Sequence, residues 1–365
     1  MAHLIEINKG VASYVENGRK ERAWHRLGQV FDGPLTVREA LELSHADYQV
    51  EMRNVFAMTP ALQAILSGED ETVSREYLAD AITDAFITGR KATMRMDKER
   101  PLGVVSDHYG IVQNCDAFQF IDTLCTGGGS NTPVIECAGV LGQGERVFIT
   151  AKFPEQIILD NKTDDRVEMY VVFTTSHDGT GAVNCMVTPT RVVCNNTLNF
   201  AMRHNAGKIS LRHTSGINDR LDLSRKENQE FAYKTLHMYE VYKKSLMESF
   251  DHLRNVRLSE KQLDDIMAEV LLTDTNLKLY REGGIGHKDI SGVGRNAFQN
   301  VKQAMEGGIG QELGERGTAM WAINGLTTYF QNERNYSSDE LKFNNIMNGT
   351  AAMKLQKAYD LMMAV

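Results

Sequence analysis

Residues 167–188 read VEMYVVFTTSHDGTGAVNCMVT, and this stretch decides the fold class. Two runs rich in β-branched and aromatic residues flank Asp178-Gly179, a dipeptide that suits a hairpin turn because glycine accepts positive φ at little cost. We expect the two runs to pair as antiparallel strands across this turn. The stretch therefore predicts an antiparallel sheet near the middle of the chain.

The sheet is expected to extend toward the N-terminus, because short β-rich runs separated by turn residues continue back to about residue 91. One run with helical spacing, residues 114–125, interrupts them. Nearer the start of the chain, Thr36 and Ser74 are suited to cap helices over residues 37–44 and 75–90.

Beyond residue 194 the apolar spacing becomes helical. A long amphipathic run covers residues 223–253, and Ser259 with Gln262 has the spacing of a capping box. We therefore predict an α+β fold, in which a mainly antiparallel β-sheet region, residues 1–215, is followed by a helical region, residues 216–365.

Composition excludes several classes of protein. No run of 18 apolar residues occurs and the N-terminal residues carry charges throughout, so we expect no membrane partner and a cytoplasmic location. Five cysteines without a C-x-x-C pair argue against a disulfide framework and a zinc site, and no metal is predicted. The phosphate-binding, dinucleotide-binding and common hydrolase motifs are absent, which leaves any cofactor unknown and makes an enzyme the less favoured reading.

One segment has a charge opposite to that of the chain. The protein has a net charge of -8, yet the forty residues between Asp178 and Asp219 contain no Asp or Glu, where the average composition would give about five. The four cations of this segment are Arg191, Arg203, Lys208 and Arg212. A positive segment in an acidic protein indicates an anionic partner.

The predicted geometry of this segment suits a phosphate. Arg191 would lie where a strand ends, and Asn195 or Asn196 would cap a following helix whose free N–H groups bind anions. Arg203, Lys208, Arg212 and His213 would extend the positive surface if the chain folds back. Trp24 and Tyr109 are candidates for stacking on bases.

Each of these residues also has a structural interpretation. His177-Asp178 is either a turn dipeptide or a catalytic pair, and Cys194 suits a small buried residue. Asn195 and Asn196 suit simple helix caps, and Trp24 suits a hydrophobic anchor. The whole acid-free segment also suits a packed hairpin that happens to lack carboxylates.

Several short motifs together resemble those of the phage/plasmid-like protein family, whose members occur in phages, prophages and plasmids. They are WHRLG (24–28), YGIVQNCDAF (109–118), SHDGTGAV (176–183), TPTRVVCNNTL (188–198), LRHT (211–214) and GTAMWAIN (317–324). They occur in the expected order over most of the chain. The resemblance implies a bacterial cytoplasm and a mobile element, and it assigns no catalytic residues.

Our leading hypothesis is a DNA-metabolism protein of a phage or mobile element that binds single-stranded DNA. A single-strand annealing protein for recombination is its more specific form, since hairpins that lead into a helix also occur in phage annealing proteins. Annealing proteins often act as rings or filaments, so this hypothesis includes a homo-oligomer. Two alternatives stay open: a protein-interaction module that targets a host protein, and an enzyme or binder of a nucleotide or phosphorylated small molecule, with His177, Asp178 or His213 in acid–base roles.

Overall fold

The computed structural model has strands in the N-terminal half and helices in the C-terminal half, which confirms the α+β fold. The residues that it describes are 4–18, 22–23, 25–68, 74–126, 131–160, 165–189, 207–221, 226–308, 311, 314–337, 341–342, 345–346 and 349–365. Within these residues, no helix has both the length and the apolar character needed to cross a membrane.

The strands are numbered in chain order. They are β1 (Ile7–Asn8), β2 (Val11–Ala12), β3 (Tyr14–Asn17), β4 (Gln29–Phe31), β5 (Val50–Phe56), β6 (Phe86–Arg95), β7 (Arg100–Ser106), β8 (Val134–Leu141), β9 (Arg146–Lys152), β10 (Ile157–Asp160), β11 (Asp165–Val167), β12 (Tyr170–Ser176), β13 (Val183–Thr188) and β14 (Gly207–Leu211).

The helices are numbered in the same way. They are α1 (Val37–Leu43), α2 (Pro60–Ser67), α3 (Arg75–Ala85), α4 (Asn114–Thr126), α5 (Ile217–Leu221), α6 (Lys226–Asn255), α7 (Glu260–Leu271), α8 (Asp274–Gly283), α9 (Gly292–Gly307), α10 (Ala319–Thr328), a π-helical turn (Tyr329–Glu333) and α11 (Thr350–Met363).

A seven-stranded sheet with the order β14-β13-β12-β9-β8-β3-β4 forms the centre of the sheet region. Its pairings are antiparallel except that of β3 with β4. The predicted hairpin is present, since β12 and β13 pair with Thr174 opposite Asn184 and the turn lies between them. Successive residues of β8, β9, β12 and β13 are buried, and since successive side chains point to opposite faces, both faces of the sheet are covered.

A separate three-stranded sheet, β5-β6-β7, lies in the chain between strands β4 and β8 of the main sheet. The helix predicted over residues 75–90 is shorter than expected, because α3 ends at Ala85 and β6 starts at Phe86. The β-forming run Phe86-Ile87-Thr88 explains the change, since Phe86 pairs with Phe56 and their ring centroids are 5.8 Å apart.

The helix caps that the sequence predicts are present. Thr36 and Ser259 each form a capping box, and the Ser74 hydroxyl accepts a hydrogen bond from the backbone N–H of Tyr77. These caps fix the N-termini of α1, α7 and α3, because they satisfy N–H groups that have no partner inside the helix.

The long helix α6 belongs to two hydrophobic cores. Tyr239 packs in the core between the main sheet and helices α1 and α4, whereas Leu253 packs in the core of the helical region. Phe250 contacts both. The division of the chain at residues 215 and 216 stays a prediction, and α6 connects the regions on its two sides.

Candidate functional site

The candidate residues fall into two groups. Lys208, Arg212, His213 and Tyr109 are described by the structure. The other candidates lie outside the described residues: Trp24, Arg191, Cys194, Asn195, Asn196 and Arg203.

Strand β14 forms one edge of the seven-stranded sheet, and two of the predicted cations lie on it or directly after it. Lys208 pairs with Met186 in register, and its side chain is exposed. Arg212 follows the end of the strand and is also exposed. Among the residues that the structure describes, neither cation forms an ion pair.

The alternation along β14 explains why these cations reach the surface. Ile209 and Leu211 pack against the main core, so Lys208 and Ser210 point to the opposite side, where both are exposed. The segment before β14 is fixed at both ends by the pairing of Val187 with Gly207. Arg191 and Arg203 belong to this connecting segment in the sequence.

Residues of three sequence motifs, YGIVQNCDAF, SHDGTGAV and LRHT, meet at the end of β14. The Tyr109 ring stacks on the His213 imidazole, with centroids 4.7 Å apart and an angle of 11° between the planes. The Tyr109 hydroxyl donates a hydrogen bond of 2.8 Å to the carbonyl oxygen of Ser176. We call Tyr109, Gly110, Ser176, His177 and His213 the motif junction.

Backbone contacts fix this junction. The Nδ1 atom of His213 lies 3.0 Å from the Gly110 carbonyl oxygen. A carbonyl oxygen only accepts, so Nδ1 is protonated and donates this hydrogen bond. The N–H of Gly110 donates to the His213 carbonyl oxygen at 3.3 Å. A Cβ atom on Gly110 would lie 2.1 Å from the Thr214 carbonyl oxygen, so only glycine fits this position.

His177 occupies the buried side of the junction. Its Nε2 atom lies 2.8 Å from the Asn114 side-chain oxygen, and its carbonyl oxygen accepts a hydrogen bond of 2.6 Å from the Thr93 hydroxyl. The neighbouring Asp178 belongs to the turn, as predicted, because its carboxylate accepts hydrogen bonds from the Ser176 hydroxyl and from Thr180. The two side chains thus have different partners and do not bond to each other.

Burial keeps both histidines of the junction neutral. Burial, with a smaller contribution from the nearby His213, lowers the pKa of His177 to about 3. Burial also lowers the pKa of His213, although the Gly110 carbonyl oxygen and Asp178 oppose that effect. A group with a pKa of about 3 is a weak base at neutral pH, so His177 suits a structural role better than proton transfer.

His213 therefore has a structural role beneath the exposed cations Lys208 and Arg212. It is 8% exposed, and its Nε2 atom is buried without a hydrogen-bond partner in the described part of the chain. It holds the backbone that leads into Arg212 but does not itself reach the surface. Direct phosphate contact thus suits Arg212 and Lys208 better than His213.

Sequence reasoning missed a buried ion cluster beside the junction. The Arg95 guanidinium is fully buried, 2.9 Å from Glu6 and 2.8 Å from Asp97, and lies 3.8 Å from the Tyr48 ring centroid. The Tyr48 ring contacts the His177 ring edge-on, with centroids 6.1 Å apart. The only signal was the alternation of Thr93 and Arg95, which places both side chains on one face of β6.

No group of three or more His, Cys, Asp or Glu side chains within the described ranges is arranged to hold a metal ion. The polar side chains of Thr93, Asn114 and Asp178 lie next to the motif junction and form hydrogen bonds with its residues.

Comparison with protein families gives a match over most of the chain. A family model described as "Domain of unknown function (DUF932)" matches residues 101–356, which is most of the chain. No curated protein and no solved structure matches the chain. The matched range includes the motif junction, strand β14 and the helices from α4 to the first half of α11. The chain therefore belongs to the DUF932 family.

Proposed function

We propose that the protein binds single-stranded nucleic acid through strand β14 and the segment that precedes it, as a DNA-metabolism protein of a phage or other mobile element. One observation carries the proposal: Lys208, on an edge strand, and Arg212, directly after it, are exposed and form no ion pair within the described residues. Unpaired exposed cations are free to replace the counterions of a phosphate backbone.

The spacing of these cations supports contact with more than one phosphate. Residues four apart in a strand are separated by roughly 13 Å, which exceeds the spacing of neighbouring phosphates along one strand. Arg191 follows Thr188 by three residues and Arg203 precedes Gly207 by four, so both belong to the segment fixed at this end of the sheet. All four cations lie in the segment without acids.

The preference for a single strand rests on aromatic residues and on the resemblance to phage/plasmid-like proteins. The Tyr109 ring is partly exposed at the end of β14 that leads to Arg212. Exposed aromatic rings beside a basic track stack on the bases of single strands. Trp24 is the second candidate for such a contact. Strand annealing is the more specific form of the proposal.

The alternative of an acid–base enzyme receives less support from the junction. His177 is buried and neutral, and its ring nitrogen is bonded to Asn114. Asp178 is bonded within its own turn. A catalytic role would require both groups to release these partners.

Fluorescence anisotropy with labelled oligonucleotides tests the proposal. We expect binding to single strands that weakens as salt rises, and weaker binding to duplexes of the same length. Lys208→Ala with Arg212→Ala should reduce the slope of log K against log salt by roughly 1.4, because each phosphate contact to a single strand contributes about 0.7. The matched control is Lys278→Ala with Lys288→Ala, two exposed lysines of the helical region that also lack an ion pair within the described residues.

Two outcomes would contradict the proposal. One is the absence of binding to any oligonucleotide at about 50 mM salt, where phosphate contacts are strong. The other is an equal change in slope for the control pair, which would point to a diffuse charge effect. If binding is present, a two-strand annealing assay then tests the more specific form.

A further inference from the structure

Residues 50–95 form a projection from the sheet region, which we call the arm. It consists of β5, α2, α3 and β6. The base of the arm is the pair Val50–Arg95, and the far end of its strands is the pair Phe56–Phe86. With six steps from Val50 to Phe56 along β5, this far end lies roughly 20 Å from the base.

The two helices at the end of the arm bury very little. Helix α2 has no buried residue, and α3 buries only Ala81 and Ala85. The helices pack against each other. Short helices draw most of their stability from packing of an apolar face, so helices this exposed indicate a missing partner surface.

The arm also concentrates exposed apolar side chains. Seven large apolar residues between positions 56 and 87 are 37% to 69% exposed. They are Phe56, Met58, Leu66, Tyr77, Ile82, Phe86 and Ile87. Together they expose roughly 600 Å², the upper end for a patch on a monomeric protein.

The exposed charges of the arm are unevenly distributed. Helix α3 carries exposed Glu76, Asp80 and Asp84 against a single cation, Arg75. Arg90, about midway along β6, and Arg100, at the base on the adjoining β7, are exposed cations. Within the described residues, none of these side chains forms an ion pair.

We infer that the arm docks on the arm of a second copy of this chain, antiparallel and related by a two-fold axis. In this arrangement the acidic helix α3 of each copy meets the basic strands of the other. A two-fold interface requires one surface that complements itself, and the arm carries a mainly acidic helix and exposed arginines on its strands together with its exposed apolar side chains. A different partner would not require both signs on the same surface.

The apolar area agrees with a stable dimer. Burial of the patch on both copies removes roughly 1,200 Å² from water, which reaches the lower end of specific interfaces before any polar contact is counted. The patch lies apart from Lys208 and Arg212 in the sequence, so dimer formation and nucleic-acid binding are tested separately.

Sedimentation velocity of the full chain tests the inference. We expect a dimer at micromolar concentration, and we expect Met58→Lys with Leu66→Lys to raise the dimer Kd at least about tenfold, because each lysine places a charge in the apolar patch. The control is Val293→Lys, since Val293 is 81% exposed on α9 and lies outside the arm. Circular dichroism verifies that all variants fold.

Charge reversal tests the antiparallel arrangement. One variant carries Asp80→Lys and Asp84→Lys, and the other carries Arg90→Glu and Arg100→Glu. Each alone should be monomeric, because like charges then meet at both contacts, whereas an equal mixture should form a heterodimer in which both contacts are complementary.

A monomeric natural chain overturns the inference, and so does a dimer that is insensitive to the Met58 and Leu66 changes. Failure of the two charge-reversed variants to associate when mixed overturns the antiparallel arrangement.

Discussion

The Tyr109 ring lies parallel to the His213 imidazole, and its hydroxyl reaches past that ring to the carbonyl oxygen of Ser176. This single side chain therefore joins the loop after β7, the end of β12 and the segment after β14. Because Arg212 immediately precedes His213, the geometry of the exposed cation depends on the contact between the half-buried Tyr109 and the buried His213.

Tyr109→Phe should lower the free energy of unfolding by about 1 kcal/mol, because it removes one hydrogen bond and leaves the Ser176 carbonyl oxygen without this donor. Urea denaturation measures the change. Tyr77→Phe is the matched control, since Tyr77 is exposed and its hydroxyl has no partner within the described residues. Equal stability of the two variants would show that the hydroxyl bond contributes nothing.

Gly110→Ala should destabilise the protein by about 1–3 kcal/mol, because the new methyl group overlaps the Thr214 carbonyl oxygen and forces the backbone to shift. Gly216→Ala provides the control, since a Cβ atom there has no neighbour within 4 Å. Thermal unfolding compares the two. A Gly110→Ala variant as stable as the control would mean that the close approach to Thr214 relaxes freely.

Stability should fall as the pH drops from 7 to 5. Burial lowers the folded-state pKa of His177 to about 3 and also lowers that of His213, so the unfolded chain takes up these protons first. The stabilisation is complete above the unfolded pKa of about 6.5 and is lost as the pH falls below it. For His177 alone, the loss at pH 5 is about 2 kcal/mol.

The dependence of unfolding free energy on pH, measured in urea, checks this prediction. His177→Gln should flatten the slope between pH 7 and 5, whatever its effect on stability at pH 7. His108→Gln should leave the slope nearly intact, because the His108 side chain is 91% exposed. A slope that stays the same in His177→Gln would argue against a buried neutral histidine at this position.

Arg95→Met should lower the free energy of unfolding by about 3 kcal/mol, because it leaves the nearly buried Glu6 carboxylate with fewer charged partners. Lys98, 2.7 Å from Glu6, limits the loss. Adding Glu6→Gln should recover part of the stability, since the second change removes the unbalanced charge.

The control for Arg95 is Arg38→Met. Arg38 pairs with Glu42 on the surface of α1, where its side chain is 87% exposed, so its replacement should change stability little. Calorimetry on the four variants provides the comparison. Non-additive effects of Arg95→Met and Glu6→Gln support the buried pair, whereas additive effects would mean that the two charges do not interact.

Local signals in the sequence predicted much of the fold. The Asp178-Gly179 turn predicted the β12–β13 hairpin, and side-chain oxygens at Thr36, Ser74 and Ser259 predicted the starts of three helices. These features depend on residues within a few positions of one another.

Features that depend on distant residues were not predicted. The parallel pairing of β3 with β4 and the early end of α3 at Ala85 both arise from contacts with other parts of the chain. The burial of Arg95 likewise depends on Glu6, which lies almost ninety residues earlier. A single arginine in a β-rich run has no local feature that distinguishes a buried position from an exposed one.

The candidate site was predicted only in part. The absence of acids around Lys208 and Arg212 predicted a positive segment, and both side chains are exposed, while their contact with phosphates stays a prediction. The contact of Tyr109 with His213 was not predicted, because no periodic pattern links residues a hundred positions apart. The base-stacking role of Tyr109 stays a prediction.

The continuity of helix α6 affects how a bound ligand changes the stability of each region. Since Tyr239 and Leu253 are held by different cores on one continuous helix, we expect the two regions to unfold as one cooperative unit. A ligand that occupies the sheet region at a hundred times its Kd adds about 2.7 kcal/mol to the stability of the folded state. The helical region, which does not contact that ligand, would then share the gain, and its melting would report on binding at a distance.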